Sequence, residues 1–266
     1  MSETARVVAT YTAAADTFDT LPFWHEFGRR TIARVQLSPG ERVLDLCCGT
    51  GASALPAARA VGPTGAVLGV DLTPALVDVA ARAAARAELA HARFAVGDVE
   101  TVAFPPASFD AVVSVFGLFF ADDMAGVLRR AWSWLAPGGR LAVTVWGETV
   151  LAPGEALFWE AVRREDPTLD HISPSARVTT PDAVRALVAE AGLAAPEVTV
   201  ERWEMPLASP EAFWPVILGT SNRGAWDALS GDAQARVRRF VEAALRSDAV
   251  RSLVCEAVVA VTRTSR

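Results

Sequence analysis

Nine residues, Val43-Leu44-Asp45-Leu46-Cys47-Cys48-Gly49-Thr50-Gly51, constrain this chain more than any others. A mostly apolar run enters a tight turn with two glycines, and a helix-like stretch, Ala52 to Val61, follows at once. A short apolar run closed by a turn signal fits a strand buried in a parallel sheet. Gly49 and Gly51 accept φ > 0 and let backbone approach a ligand where a Cβ would collide. A helix opening after Gly51 turns its unpaired N–H groups toward the same point. Together these features predict a ligand site at the carboxyl edge of a parallel sheet. The turn alone is a weak signature. It is neither G-x-G-x-x-G nor a P-loop, because no G-K-[ST] follows.

The next strands narrow the reading. Gly65 to Asp71 is a second apolar run that ends on an acid, 20 residues past Gly51. A Rossmann-like unit puts there the carboxylate that takes two ribose hydroxyls. A third run, Ala92 to Val96, leads into Gly97-Asp98-Val99. Strands are expected at about 41–46, 66–71, 92–96, 109–115, 140–146, 196–204 and 253–262. Helices are expected at 22–35, 52–61, 74–90, 123–135, 155–164 and 181–191, with a helical stretch over 209–247.

In this order the segments resemble the class I S-adenosylmethionine-dependent methyltransferases. Val43–Gly51 is similar to their glycine motif, Asp71 to their ribose acid, and Asp98-Val99 to their adenine-binding dipeptide. Phe109–Ser114 resembles their fourth strand and Leu135–Leu141 the turn entering the fifth. The resemblance covers roughly residues 5–200. Within the class it is greatest to the small-molecule branch that includes the ubiquinone/menaquinone C-methyltransferases.

The resemblance implies an α/β fold: a Rossmann-like, doubly wound, seven-stranded sheet, mostly parallel, with the last strand antiparallel. It implies one domain over 1–266, with an N-terminal helical cap (1–36), a cofactor-binding core (37–147) and lid or substrate-side helices (148–180 and 205–250). The implied cofactor is S-adenosylmethionine, released as S-adenosylhomocysteine. Its expected contacts are Tyr11, Asp45, Cys47, Cys48, Gly49, Thr50, Gly51, Asp71, Leu72, Asp98, Val99, Ser114 and Val115. Tyr11 belongs to a segment, Tyr11–Asp19, that resembles the one related enzymes fold over the bound cofactor.

The acceptor side departs from the family. Relatives often carry histidine or another polar residue in the loop after the fourth strand, and this chain has Phe119 and Phe120. Trp24, Phe116, Phe119, Phe120 and Trp146 are therefore expected to wall an apolar acceptor pocket, although aromatic residues serve equally as core. His25, Glu148 and His171 are the candidate bases, from position alone. The expected activity is methyl transfer to a small hydrophobic or aromatic metabolite. Orientation alone can supply about 7–11 kcal/mol of the barrier. The alternative is a protein that binds the cofactor and transfers no methyl.

Composition bounds the rest. A 52% hydrophobic chain of 266 residues can bury a large core. A net charge of -6 argues against a nucleic-acid surface, which needs a basic stripe. Three cysteines make no disulfide framework, and no His or Cys cluster accompanies Cys47-Cys48, so no metal is expected. No leader pattern and no apolar run of membrane length are visible. A soluble, cytoplasmic monomer or homodimer is expected, with a small molecule as its partner and neither nucleic acid nor membrane.

Overall fold

The structure, a computed structural model, describes residues 3–169 and 173–265. Its strands are β1 (Arg42–Leu46), β2 (Ala66–Asp71), β3 (Ala92–Val96), β4 (Phe109–Val115), β5 (Leu135–Trp146), β6 (Glu197–Pro206) and β7 (Ser252–Arg263). Its helices are α1 (Glu3–Phe18), α2 (Pro22–Val35), α3 (Ala54–Val61), α4 (Pro74–Arg86), α5 (Met124–Ser133), α6 (Gly154–Glu165), α7 (Pro181–Glu190), α8 (Trp214–Leu218), α9 (Arg223–Ala228) and α10 (Gly231–Ser247). No helix among the described residues is long and apolar enough to cross a membrane.

The strands form one sheet in the order β3-β2-β1-β4-β5-β7-β6. β1 pairs in parallel with β2 and β4, β2 with β3, and β4 with β5, while β7 runs antiparallel to β5. This is the expected Rossmann-like sheet with its antiparallel last strand. Val43, Leu44 and Leu46 of β1 are all buried, as befits a central parallel strand covered on both faces.

Two compact units share the chain. The first comprises Trp24–Gly147, Pro174–Glu201 and Ala257–Arg266; the second comprises Met1–Phe23, Glu148–Ser173 and Arg202–Glu256.

In the first unit, α3 buries Ala54, Ala57, Ala58 and Val61, one helical face at i, i+3, i+4 and i+7. That face packs on Val43, Val67, Ala111 and Val113 of the sheet. The small side chains bring the helix close to the strands. Gly28 of α2 serves the same end, since a Cβ there would lie 2.4 Å from the Ala52 carbonyl oxygen. Asp123 caps α5 by accepting from the Gly126 N–H, and Thr180 caps α7 by accepting from that of Ala183.

Three of the boundary differences from the sequence expectation have a local cause. α3 opens at Ala54 rather than 52, because the Ser53 hydroxyl donates to Asp45 instead of capping the helix. α4 stops at Arg86 rather than 90. Glu88 enters the left-handed region (φ 57°), and the Leu89 N–H closes back on the Ala84 carbonyl. β5 begins at Leu135, before the Pro137-Gly138-Gly139 turn. A register shift against β4 between Phe109 and Ala111 absorbs that turn, with Gly138 at φ 75°.

The second unit packs a helical core around Phe158, Phe213, Ile217, Leu245 and Leu253, all buried. Its expected 209–247 helical stretch resolves into a 3₁₀ turn at Pro210–Phe213 followed by α8, α9 and α10. Ser230 caps α10 by accepting from the Ala233 N–H. Arg236 of α10 holds Glu165 of α6 in a fork, with N–O distances of 2.9 and 2.7 Å. The Arg238 guanidinium lies 4.7 Å from the centre of the Trp214 ring.

Candidate active site

The strand register sets Leu46 of β1 level with Val70 of β2 and Ser114 of β4. The carboxyl ends of three strands thus share one edge, and the turn after β1 is built there. Cys47, Gly49 and Gly51 all have positive φ (58°, 52° and 91°). The Cys48 N–H donates to the Val70 carbonyl, and the Gly51 N–H to that of Cys48. Gly117, just past β4, packs so tightly on this turn that a Cβ there would lie 2.1 Å from Cys47 Cβ.

Asp71 ends β2 and braces the turn. Its Oδ2 accepts from the Gly49 N–H (2.8 Å) and its Oδ1 from the Thr73 N–H (2.9 Å). The Thr73 hydroxyl and the Leu72 N–H also support its charged form. Burial pushes this carboxyl above its ordinary range, outweighing the hydrogen bonds that favour the charge.

Asp45 is fully buried within β1. Its Oδ2 accepts from the Ser53 hydroxyl (2.7 Å), and its Oδ1 has no hydrogen bond among the described residues. Burial pushes the carboxyl up to about 7, and neighbouring Asp71 adds to the rise. Thr50 Oγ1 is likewise buried without a partner among the described residues. Burial and the nearby carboxylates push the Cys47 and Cys48 thiols well above their usual range, so neither is an activated nucleophile.

Asp98 lies after β3 in a half-buried loop, and its Oδ1 accepts from the Glu100 N–H (2.8 Å). The Val99 carbonyl accepts from Arg130 Nη2 of α5 (3.0 Å). Leu72, Val99 and Val115 are half-buried and Ser114 is buried. Two orphaned polar atoms, a left-handed glycine turn and a braced carboxylate at the end of β2 fit a nucleoside cofactor of the expected kind.

Trp24, Phe27, Phe116 and Trp146 form a buried aromatic cluster in the same unit. Phe116 stacks on Trp146, and Trp24 and Phe27 each meet Phe116 edge-on at 5.5 Å. Phe27 is not one of the expected acceptor residues. Its four-residue spacing to Thr31 reads only as a helix face. Phe119 is buried and Phe120 half-buried, their rings 4.9 Å apart in the 3₁₀ turn Leu118–Phe120.

His25 is exposed on α2 and lines a groove of about 650 Å³ with Arg29, Gly51, Leu55, Pro56 and Arg59. Glu148 is exposed and belongs to the second unit, as does Tyr11, whose ring meets Phe18 edge-on. His171 lies outside the described residues. The second unit also holds a polar chain that the sequence did not reveal. Trp159 Nε1 donates to Asn222 Oδ1, and Asn222 Nδ2 donates to Glu155, each over 3.0 Å. Burial raises the Glu155 carboxyl.

Comparison with known proteins agrees with this geometry. A methyltransferase-domain family matches residues 43–139, the stretch from β1 into β5. Nocamycin O-methyltransferase of Saccharothrix syringae is 30% identical over 227 residues, 81% of each chain. Aklanonic acid methyltransferase DauC of a Streptomyces species is 37% identical over 141 residues, 52% of this chain and 64% of that protein. Quinone methyltransferases match over about half of their own length. The solved YcgJ protein of Bacillus subtilis shares the fold, with a TM-score of 0.57 at 19% identity over 91% of this chain and 99% of that one. The match to the nocamycin enzyme runs well beyond the strand–turn–helix core, and the chain belongs to the class I S-adenosylmethionine-dependent methyltransferases.

Proposed function

We propose that this protein transfers the methyl group of S-adenosylmethionine to a small, mostly apolar or aromatic metabolite. The observation that carries the reading is the Asp71 carboxylate, braced by the Gly49 and Thr73 N–H groups at the sheet edge where a ribose is held. Two of the relatives, which by name act on aklanonic acid and nocamycin, support a natural-product acceptor.

When bound, the cofactor supplies an electrophilic methyl on a sulfonium. Asp71 accepts from its ribose hydroxyls. Asp98 accepts from the adenine amino group, the Val99 N–H serves the ring nitrogen, and Leu72 packs on the adenine face. The turn Cys47–Gly51 lines the methionine portion, with Asp45 holding the turn through Ser53. Trp24, Phe116, Phe119, Phe120 and Trp146 orient the acceptor and keep water out. Catalysis in this reading rests on holding donor and acceptor in line. None of His25, Glu148 and His171 is required as a base where the acceptor arrives deprotonated.

Incubating the protein with S-adenosylmethionine and a panel of hydrophobic and aromatic small molecules, aklanonic acid and quinones among them, tests the proposal. Release of S-adenosylhomocysteine with one of these acceptors is the expected result. Tight cofactor binding with no methyl transfer to any acceptor would favour a protein that binds the cofactor without using its methyl.

A further inference from the structure

The Val99–Glu100 peptide is held at both ends. Its carbonyl accepts from Arg130 Nη2 (3.0 Å), and its N–H donates to Asp98 Oδ1 (2.8 Å). A peptide unit is a rigid plane, so whatever fixes the carbonyl also fixes the direction of the N–H. The Asp98 carboxylate is therefore oriented through the peptide that Arg130 grips. Two more bonds steady the loop: the Glu100 side chain accepts from the Asp123 N–H (3.1 Å), and the Val102 N–H donates to the Asp98 carbonyl (2.8 Å).

Arg130 is an uncommon choice for holding one carbonyl. It forms no ion pair among the described residues, and its Nε is buried without a hydrogen bond. Leaving a donor buried and unsatisfied is costly, and a role in loop packing alone does not need it.

We propose that Arg130 is a positioning residue that, through the Val99–Glu100 peptide, sets the Asp98 carboxylate to read a 6-amino purine and reject a 6-oxo purine. The inference rests on the reading of Asp98-Val99 as the adenine contact. Adenine offers a donor at its 6-amino group and an acceptor at N1, which match a carboxylate and an N–H. A 6-oxo purine offers an acceptor and a donor at the same two places, so both contacts are mispaired. The discrimination survives only while the carboxylate keeps its direction, and the Arg130 bond to the Val99–Glu100 peptide holds the N–H that the carboxylate accepts from.

The test titrates wild type, Arg130→Met and Arg130→Lys with S-adenosylhomocysteine and with S-inosylhomocysteine, its 6-oxo counterpart. Thermal melts accompany each variant. Wild type is expected to prefer the adenosyl form by about tenfold or more. Arg130→Met is expected to narrow that preference severalfold, and Arg130→Lys, whose ammonium can still donate to a carbonyl, to recover part of it. A preference in Arg130→Met equal to that of wild type, with both ligands weakened alike, overturns the inference and leaves Arg130 a packing residue. No preference in wild type overturns the adenine reading itself and the inference with it. Should Arg130→Met fail to fold, Arg130→Leu carries the same comparison of ratios.

Discussion

The Phe116 ring stacks on Trp146 with centroids 4.0 Å apart and planes 21° from parallel, although the Phe116 backbone sits at φ 56°. A bulky residue in the left-handed region is strained by about 1–2 kcal/mol. The surroundings hold it there. The Phe116 N–H donates to the Thr144 carbonyl (2.8 Å), and Trp24 and Phe27 close on the ring from their edges. Such strain gathers at functional loops, and this one lies directly after β4 and before Gly117. If the stack is what offsets the strain, the two rings are energetically coupled. Phe116→Ala and Trp146→Ala are each expected to destabilise the fold by about 3–5 kcal/mol. The double variant should fall short of their sum by about 0.5–1.5 kcal/mol. Denaturant unfolding of the four proteins measures this, and strict additivity contradicts it.

Gly117 and Cys47 make a second coupled pair. A Cβ at position 117 would fall 2.1 Å from Cys47 Cβ, a backbone-proximal atom that cannot swing away. Gly117→Ala is therefore expected to displace the turn at Cys47 and weaken S-adenosylhomocysteine binding by tenfold or more, roughly the loss of one or two hydrogen bonds. Cys47→Gly removes the obstructing atom and suits φ 58° better than cysteine does. The double variant Cys47→Gly/Gly117→Ala should regain most of the affinity. Calorimetric titration of the single and double variants decides it; a double variant as weak as Gly117→Ala rules out the steric account.

Asp71 carries two duties, and substitutions separate them. Asp71→Ala leaves the Gly49 and Thr73 N–H groups buried without their acceptor, at about 1–3 kcal/mol each. It is expected to lower the melting temperature and cofactor affinity together. Asp71→Asn keeps the shape and one acceptor oxygen but loses the charge. It should melt closer to wild type yet bind S-adenosylhomocysteine at least about tenfold more weakly, because a charge-assisted bond to the ribose is lost. Wild-type affinity in Asp71→Asn defeats the assignment of Asp71 to the ribose.

The strands and their terminal acids were legible because a covered parallel strand is written as a short apolar run, and Asp45, Asp71 and Asp98 each punctuate one. The left-handed glycines at 49 and 51 were legible for a similar reason, since their residue type announces them. Phe116 was not, because nothing in a phenylalanine announces φ 56°; only packing against Trp24, Phe27 and Trp146 imposes it. Arg130 was silent too. A side chain gripping a carbonyl 31 residues away leaves no pattern in the chain. The start of α3 falls two residues later than the sequence suggests because Ser53, a good capping residue, spends its hydroxyl on Asp45. The division into two units was hidden because each is assembled from three separate stretches.

Asp45 ties the fold to pH. Its carboxyl is fully buried, accepts from the Ser53 hydroxyl and the Ala54 N–H, and is pushed from an ordinary 3.8 up to about 7. The folded chain therefore holds this proton over a range in which the unfolded chain has released it. Stability from the protonated form is whole below about 3.8 and is lost as pH rises through about 7. Asp45→Asn puts a neutral group of the same shape in the same place, and its amide oxygen can still accept from Ser53. The variant escapes the loss. Its melting temperature relative to wild type, without cofactor, should climb between about pH 4 and pH 8. The gap corresponds to a few kcal/mol, because each tenfold change in proton affinity between the folded and unfolded chain is worth ~1.4 kcal/mol. Asp71, whose carboxyl burial also raises, titrates in both proteins and so largely drops out of the difference. Paired melts across that range measure it. A difference that stays flat, or shrinks as pH rises, would mean that Asp45 is ionised in the folded protein throughout, its charge supported by the turn.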